Sequence, residues 1–347
     1  MSIKGWIKHS DAVKDEQNPL TQEVLDSVYT LDHPEIKSRM NMVDASALPS
    51  SFSLLNNETS VRDDQGDLGL CFAFAGCGLL EYYLKNASPS VIDELSEMFL
   101  GYYSRLICDG AKPSGDNGST IIATMQAMQQ YGVCLSTLWP YLDEKENVTP
   151  SATALAGAKT LEVGKYFAIP NDSNKITAIK QSLYAGAPVM YGSDVHNSIM
   201  NVGSNGIEPY SPENSTTDPV DGGHARFILG FDDTKVILNA PIKGAFLVMN
   251  SWSNSWGMNG LSWISYQTWL DQETDDMGIT NIVTPTPTPT PNPSPVTPTP
   301  SPADCTKFQA AIKLAMQDAQ FAKQAQSMVM MKYYVNNVIK DLKGVMG

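Results

Sequence analysis

Apolar residues crowd nearly every face of the stretch from Cys71 to Asn86, where Phe74, Cys77, Gly78, Leu80 and Leu84 leave little polar surface. That pattern predicts a helix enclosed on most sides. Two further helical patterns follow over Pro89–Ile107 and Ser119–Tyr131, the second stopped at Gly132, a residue suited to closing a helix. Beyond about residue 160 the period shortens. Arg226–Phe231, Val236–Leu238, Ala245–Met249 and Leu261–Ser265 are short runs rich in β-branched or aromatic residues, which predicts strands. Asp232-Asp233, Pro241–Gly244 and Asn259-Gly260 supply the turns between them. A helix-rich first half and a strand-rich second half imply an α+β protein of two lobes with a cleft between them.

The flanks read differently. Residues 1–47 are polar, with one weak helical pattern around Thr21–Tyr29. Residues 284–302 repeat Thr-Pro and related pairs, which fixes φ, removes backbone donors and predicts an extended spacer. The segment 303–347 is free of proline after its start and rich in Ala, Gln and Met, so helix is favoured. There Phe308, Ile312, Ala315, Ala319 and Ala322 form a short seam that needs a partner surface, which allows self-association or docking elsewhere. The expected organisation is an N-terminal arm or short segment lying over the cleft (1–47), a main α+β domain (48–283), a linker (284–302) and a helical tail (303–347).

With 42% hydrophobic and 17% charged residues, the chain of 347 residues can bury a sizeable core. Its net charge of −14 argues against nucleic acid as a partner. The tail contributes +3, so residues 1–283 carry −17. No run is apolar for the ~18 residues a membrane span needs, and the first residues have no apolar core of signal-peptide length. Five scattered cysteines, Cys71, Cys77, Cys108, Cys134 and Cys305, fit a reducing compartment better than a disulfide framework. An intracellular or virus-associated location is the expectation.

The chemistry gathers in three blocks. Gln65 precedes Cys71 by six residues, and Cys71 opens the enclosed helix, where free N–H groups favour a thiolate. Downstream stand Gly222-Gly223-His224-Ala225 and Asn250-Ser251-Trp252-Ser253-Asn254-Ser255-Trp256-Gly257-Met258-Asn259-Gly260. A cysteine, a histidine and an asparagine in this order suit thiol-dependent acyl transfer. Over roughly residues 48–270 these blocks resemble the papain-like cysteine proteases, as does the entry Leu48-Pro49-Ser50-Ser51-Phe52. The separation of 153 residues between Cys71 and His224 is close to the ~130–150 typical of that family. Around the nucleophile, Leu68-Gly69-Leu70-Cys71-Phe72 departs from the family signature at three defined positions.

The resemblance implies a papain-like two-lobed fold, with a helical left lobe, a β-barrel-like right lobe and the active site between them. It implies a cysteine endopeptidase acting on protein or peptide substrates through a Cys71 thioester, without cofactor or metal. His224 would be the general acid and base, Asn250 would orient it, and Gln65 would donate to the oxyanion with the Cys71 N–H. Trp252 would shield the histidine–asparagine bond, while Ser119, Ile121, Gly192 and Ala225 would border a substrate pocket suited to an apolar side chain. His196 is the fallback base, and Cys77 reads as core. The resemblance also locates the two halves of a disulfide usual in secreted members at Leu68 and Asp116, where both cysteines are missing. Gly223 stands where many plant members carry an acid. A thiol acyltransferase or a non-catalytic binding scaffold are the alternatives.

Overall fold

The computed structural model describes residues 5–8, 28–40, 42–55, 64–87, 94–272 and 274–283. The weak helical pattern before Val28, the proline-rich spacer and the C-terminal seam lie outside these residues. Among the described residues no helix is long and apolar enough to cross a membrane.

In chain order the elements are α1 (Pro34–Met40), β1 (Ser51–Ser53), α2 (Cys71–Ala87), α3 (Glu97–Asp109), α4 (Ile121–Gln130) and α5 (Ala152–Ala158). Then follow β2 (Glu162–Ile169), α6 (Lys175–Tyr184), β3 (Val189–His196), β4 (Val220–Asp232), β5 (Ala245–Met249), β6 (Leu261–Ser265), α7 (Tyr266–Asp271) and β7 (Asp275–Val283). The order of helices first and strands later is the α+β arrangement expected.

Helices α2, α3 and α4 pack around one core that includes Phe72, Leu79, Phe99, Ile122 and Met128, all fully buried. Small residues let α2 sit that deep. A Cβ at Gly76 would lie 2.8 Å from Leu100 Cδ2, and one at Gly78 would lie 2.7 Å from the Phe227 ring of β4. The enclosed helix is therefore pressed between α3 on one side and the sheet on another, which brings its first residue against β4.

The caps explain the helix limits. Ser96 Oγ accepts from Phe99 N at 3.0 Å, so α3 starts at Glu97 rather than Pro89, and Gly110 closes it at φ 63°. Thr120 Oγ1 likewise accepts from Ala123 N at 3.1 Å and starts α4 two residues after Ser119. Gly132, at φ 73°, follows the Tyr131 cap, as expected.

The second lobe is a wholly antiparallel sheet in the order β2-β7-β3-β4-β5-β6, with β1 added on β4. Its core holds Phe167, Tyr191, Phe231, Phe246 and Trp269. The run expected at Arg226–Phe231 is the middle of the longer β4. Val236–Leu238 is not a strand, which corrects the pattern: only Ile237 is buried, and Val236 and Leu238 are exposed, so there is no buried face to pair. Strands β2, β3 and β7 were not legible in the local pattern.

Candidate active site

Cys71 is the first residue of α2 and is fully buried. The backbone N–H of Ala225, on β4, donates to its Sγ at 3.3 Å. His224, the preceding residue of β4, is also fully buried. Its Nε2 lies 2.7 Å from Asn250 Oδ1, at the end of β5. Its Nδ1 is buried and makes no hydrogen bond among the described residues. Trp252 stacks on the imidazole at 4.8 Å between ring centroids with 27° between planes. Trp256 meets Trp252 edge-on at 5.5 Å and donates its indole N–H to Ile199 O at 2.9 Å. The Asn-Ser-Trp block thus orients the histidine and covers it with an aromatic lid.

The same block carries the glutamine. Gln65 N donates to Ser251 O at 2.9 Å, and Ser251 Oγ donates to Gln65 Oε1 at 2.6 Å. With the amide oxygen so held, Nε2 points at Leu68 O, 2.9 Å away, on the loop leading to Cys71. Tyr141 Oη donates to Gln65 O at 2.8 Å. Ser251, within the Asn-Ser-Trp block, fixes the side-chain amide of the glutamine, while Tyr141, which had no signal in the sequence, holds its main-chain carbonyl.

Next to Leu68, a hydrogen bond to Asp116 joins the two loops where the resemblance locates the missing disulfide. Gly69 N donates to Asp116 Oδ1 at 2.7 Å. The loop behind it is anchored by fully buried Arg105, whose Nη1 donates to Gly115 O at 2.9 Å and to Glu146 Oε1 at 3.1 Å. Among the described residues Cys71, Cys77, Cys108 and Cys134 form no disulfide.

The residues expected along the substrate pocket are placed as follows. Ser119 reaches the cleft only through its backbone, because its Oγ is bonded to Ser104 Oγ at 2.8 Å in the interior. Ile121 is fully buried in the first turn of α4. Gly192 and Ala225 are paired across β3 and β4 beside the Cys71 thiol. His196 ends β3, and its Nδ1 lies 2.7 Å from Asp218 O, whereas it is Ala225, beside His224, that bonds the Cys71 thiol.

The cleft is occupied by the chain's own N-terminal segment. A Cβ on Gly5 would lie 2.6 Å from Cys71 Sγ, so only a glycine, at φ 150°, lets the backbone pass directly over the thiol. Ser119 N donates to Gly5 O at 2.8 Å and Ile7 N donates to Ser119 O at 3.0 Å, a parallel bridge centred on Trp6. Trp6 N also donates to Gly223 O at 3.4 Å, and its indole N–H reaches Asp275 Oδ2 at 3.0 Å. A Cβ on Gly223 would fall 2.5 Å from Trp6 O, which accounts for glycine where an acid stands in many plant relatives. Lys8 Nζ approaches Asp194 Oδ2 at 3.9 Å. Neither Trp6 nor Asp275 belonged to any motif visible in the sequence.

Under this cover the electrostatics favour a neutral pair. Burial pushes the Cys71 thiol up to about 12, against smaller opposing contributions from N–H groups and Arg226. Burial first, and then the charge of Arg226, pulls His224 down to about 3, with the Asn250 bond opposing. Arg226 is itself buried and paired with Glu208 Oε1 at 2.5 Å.

Comparison with known proteins agrees with this geometry. Residues 48–282 match the model for papain family cysteine proteases. An uncharacterized peptidase C1-like protein of Acanthamoeba polyphaga mimivirus is 28% identical over 243 residues, covering 63% of this chain and 71% of that protein. Cathepsin K of Mus musculus is 26% identical over 222 residues, covering 64% of this chain and 59% of the cathepsin. Xylellain, a cysteine protease from Xylella fastidiosa, shares the fold with a TM-score of 0.62 at 24% identity, over 81% of this chain and 96% of the other. With the match spanning both lobes and every block of the site, the chain belongs to the papain family of cysteine proteases and is a peptide-bond hydrolase.

Proposed function

We propose that Cys71 is the nucleophile, His224 the general base and acid, Asn250 the residue that positions the imidazole, and Gln65 the side-chain donor to the oxyanion. The single observation that carries this reading is the histidine held through Nε2 by Asn250 beneath Trp252, with Nδ1 left for the thiol. The Cys71 proton passes to His224 Nδ1 as Sγ bonds the substrate carbonyl carbon. The imidazolium then gives that proton to the amine as the C–N bond breaks, leaving a thioester. A water, deprotonated by the same imidazole, hydrolyses the thioester and regenerates the thiol. Gln65 Nε2 carries a second N–H beyond the one given to Leu68 O, and that N–H with the Cys71 N–H would cradle the oxyanion.

The reading extends to the N-terminal arm, which acts as an inhibitory segment. Supporting it are the glycine over the thiol and Trp6 seated in the cleft wall. A substrate that paired antiparallel with Ser119 would run opposite to this segment, whose bridge there is parallel. Absence of disulfides among the four described cysteines, together with the mimivirus relative, is in keeping with a reducing, virus-associated setting. Cys71→Ala should abolish peptide hydrolysis and labelling by an epoxide inhibitor. Asn250→Ala should lower turnover about ten- to a hundredfold, because the base stays but is less well oriented. Hydrolysis unchanged in Cys71→Ala would overturn the assignment.

A further inference from the structure

Two residues beyond the histidine, on the same face of β4, stands a charged pair that the proposed mechanism leaves unused. Alternation along the strand puts Arg226 on the face that carries His224, with Tyr191 and Ser193 as their respective partners on β3. Arg226 is 2% exposed, and its Nη1 donates to Glu208 Oε1 at 2.5 Å. That oxygen also accepts from fully buried Ser262 Oγ at 2.5 Å, and Glu208 N donates to Trp263 O at 3.2 Å, so the carboxylate is tied to β6. The guanidinium carbon stands 5.5 Å from the centroid of the Tyr191 ring, and Arg226 Nε makes no hydrogen bond among the described residues. A cavity of about 30 Å³, bordered by Asp194, His196, Glu208 and Tyr210, adjoins Arg226 and has room for a water molecule. Stability alone gives little reason for a buried ion pair here, since well-packed apolar residues often serve as well.

We infer that Arg226 is a positioning residue of the Cys71–His224 pair, whose fixed positive charge moves the whole working pH range of the enzyme downward, and that Glu208 sets how far. The inference rests on the reading of Cys71 and His224 as the reacting groups. A cation beside such a pair acts on both members in the same direction along the pH scale. It favours the Cys71 thiolate, so the thiol gives up its proton at lower pH. It disfavours the His224 imidazolium, so that proton also leaves at lower pH. The Arg226 charge reaches both groups in this sense. Burial opposes ionisation of Arg226 itself, but Glu208 and Tyr191 outweigh it, so the cation stays fixed. Two residues on one face of a strand are about 7 Å apart, where a unit charge at an effective dielectric of about 20 moves a titration by roughly one to two pH units. The Glu208 carboxylate, held at β6 rather than on β4, cancels part of that. A tighter contact between Cys71 and His224 would instead spread the two limits apart, so a shift without widening is the mark of Arg226.

The test uses the full chain carrying Trp6→Ala, which removes the indole from the cleft wall, as the common parent. Iodoacetamide alkylates Cys71, and the second-order rate is followed against pH by mass spectrometry. The rate climbs in two steps, first as the thiolate–imidazolium pair forms and then as the imidazolium loses its proton. Arg226→Met should move both steps up by about half to one pH unit, and Glu208→Gln should move both down by a similar amount. Half of a buried pair is costly to leave alone, so the neutral double variant Arg226→Met with Glu208→Gln is measured as well and should also move both steps up. Arg226→Lys keeps the charge and should hold both steps within about 0.3 unit of the parent. Step positions do not depend on the fraction folded, so partial misfolding lowers the amplitude and leaves the midpoints readable. Steps that stay in place in every variant, or that move in opposite directions, would overturn the role of Arg226 while leaving the nucleophile intact. A single step at about pH 8.5, as for an unassisted thiol, would overturn the reacting pair and this inference together.

Discussion

Replacing Trp6 by alanine in the full chain should open the active site. The side chain is 6% exposed and lies wholly within the cleft wall. An aromatic residue of this size buries on the order of 150–250 Å², which at about 25 cal/mol per Å² sets an upper bound of roughly 4–6 kcal/mol. Losing the bond to Asp275 adds little once water reaches the carboxylate. A working value of about 3 kcal/mol, the lower end for Trp→Ala, corresponds to a shift of roughly 150-fold in the closed-to-open ratio. The assay is the rate at which an epoxide inhibitor alkylates Cys71, measured at neutral pH with the inhibitor in excess. With the closed form dominant in the wild type, labelling should accelerate by up to that factor, and the melting temperature should fall by roughly 2–4 °C for each kcal/mol lost from the closed form. A Trp6→Ala protein that labels at the wild-type rate would refute the inhibitory role of the segment.

Closure should also depend on pH in a bell-shaped way. In the closed chain burial, and then the charge of Arg226, holds the His224 pKa down from 6.5 to about 3, so whatever part of that burial the arm supplies favours closure above 6.5 and fades as pH falls toward 3. Burial likewise holds the Cys71 pKa up from 9.0 to about 12, so the part of that burial due to the arm favours closure below 9 and fades as pH climbs toward 12. Hydrogen-exchange protection of the Ile7 amide, corrected for its intrinsic rate, should therefore be greatest between those limits, and protection that increases below pH 5 would contradict this. Asp116→Ala removes the acceptor of the Gly69 N–H beside the nucleophile. It should cost about 1–2 kcal/mol locally and reduce turnover more than it lowers the melting temperature, as read from paired activity and thermal-denaturation measurements.

The blocks proposed to be catalytic were legible in the sequence because each is a local signal. Cys71 opens an unbroken apolar helix, and Asn250 ends an apolar strand before a turn with Asn259 and Gly260 at positive φ. Short-range chemistry of that kind survives in any fold. The strands β3 and β7 were not legible, since Tyr191-Gly192-Ser193-Asp194 and Asp275-Asp276-Met277-Gly278 are poor in β-formers and become strands through their neighbours. Val236–Leu238 shows the converse, a β-like run that stays outside the sheet because two of its three side chains are exposed. Nor could local pattern reveal that Trp6 meets Asp275 across 269 positions of chain, or that Asp116 meets Gly69 across 47. Those contacts come from the pairing of β3 with both β4 and β7, and from α2 lodged against β4 at Gly78. The sequence by itself determined which groups could do the chemistry. The tertiary structure alone decided what covers them and what fills the pocket, because both depend on distant segments brought to one edge of the sheet.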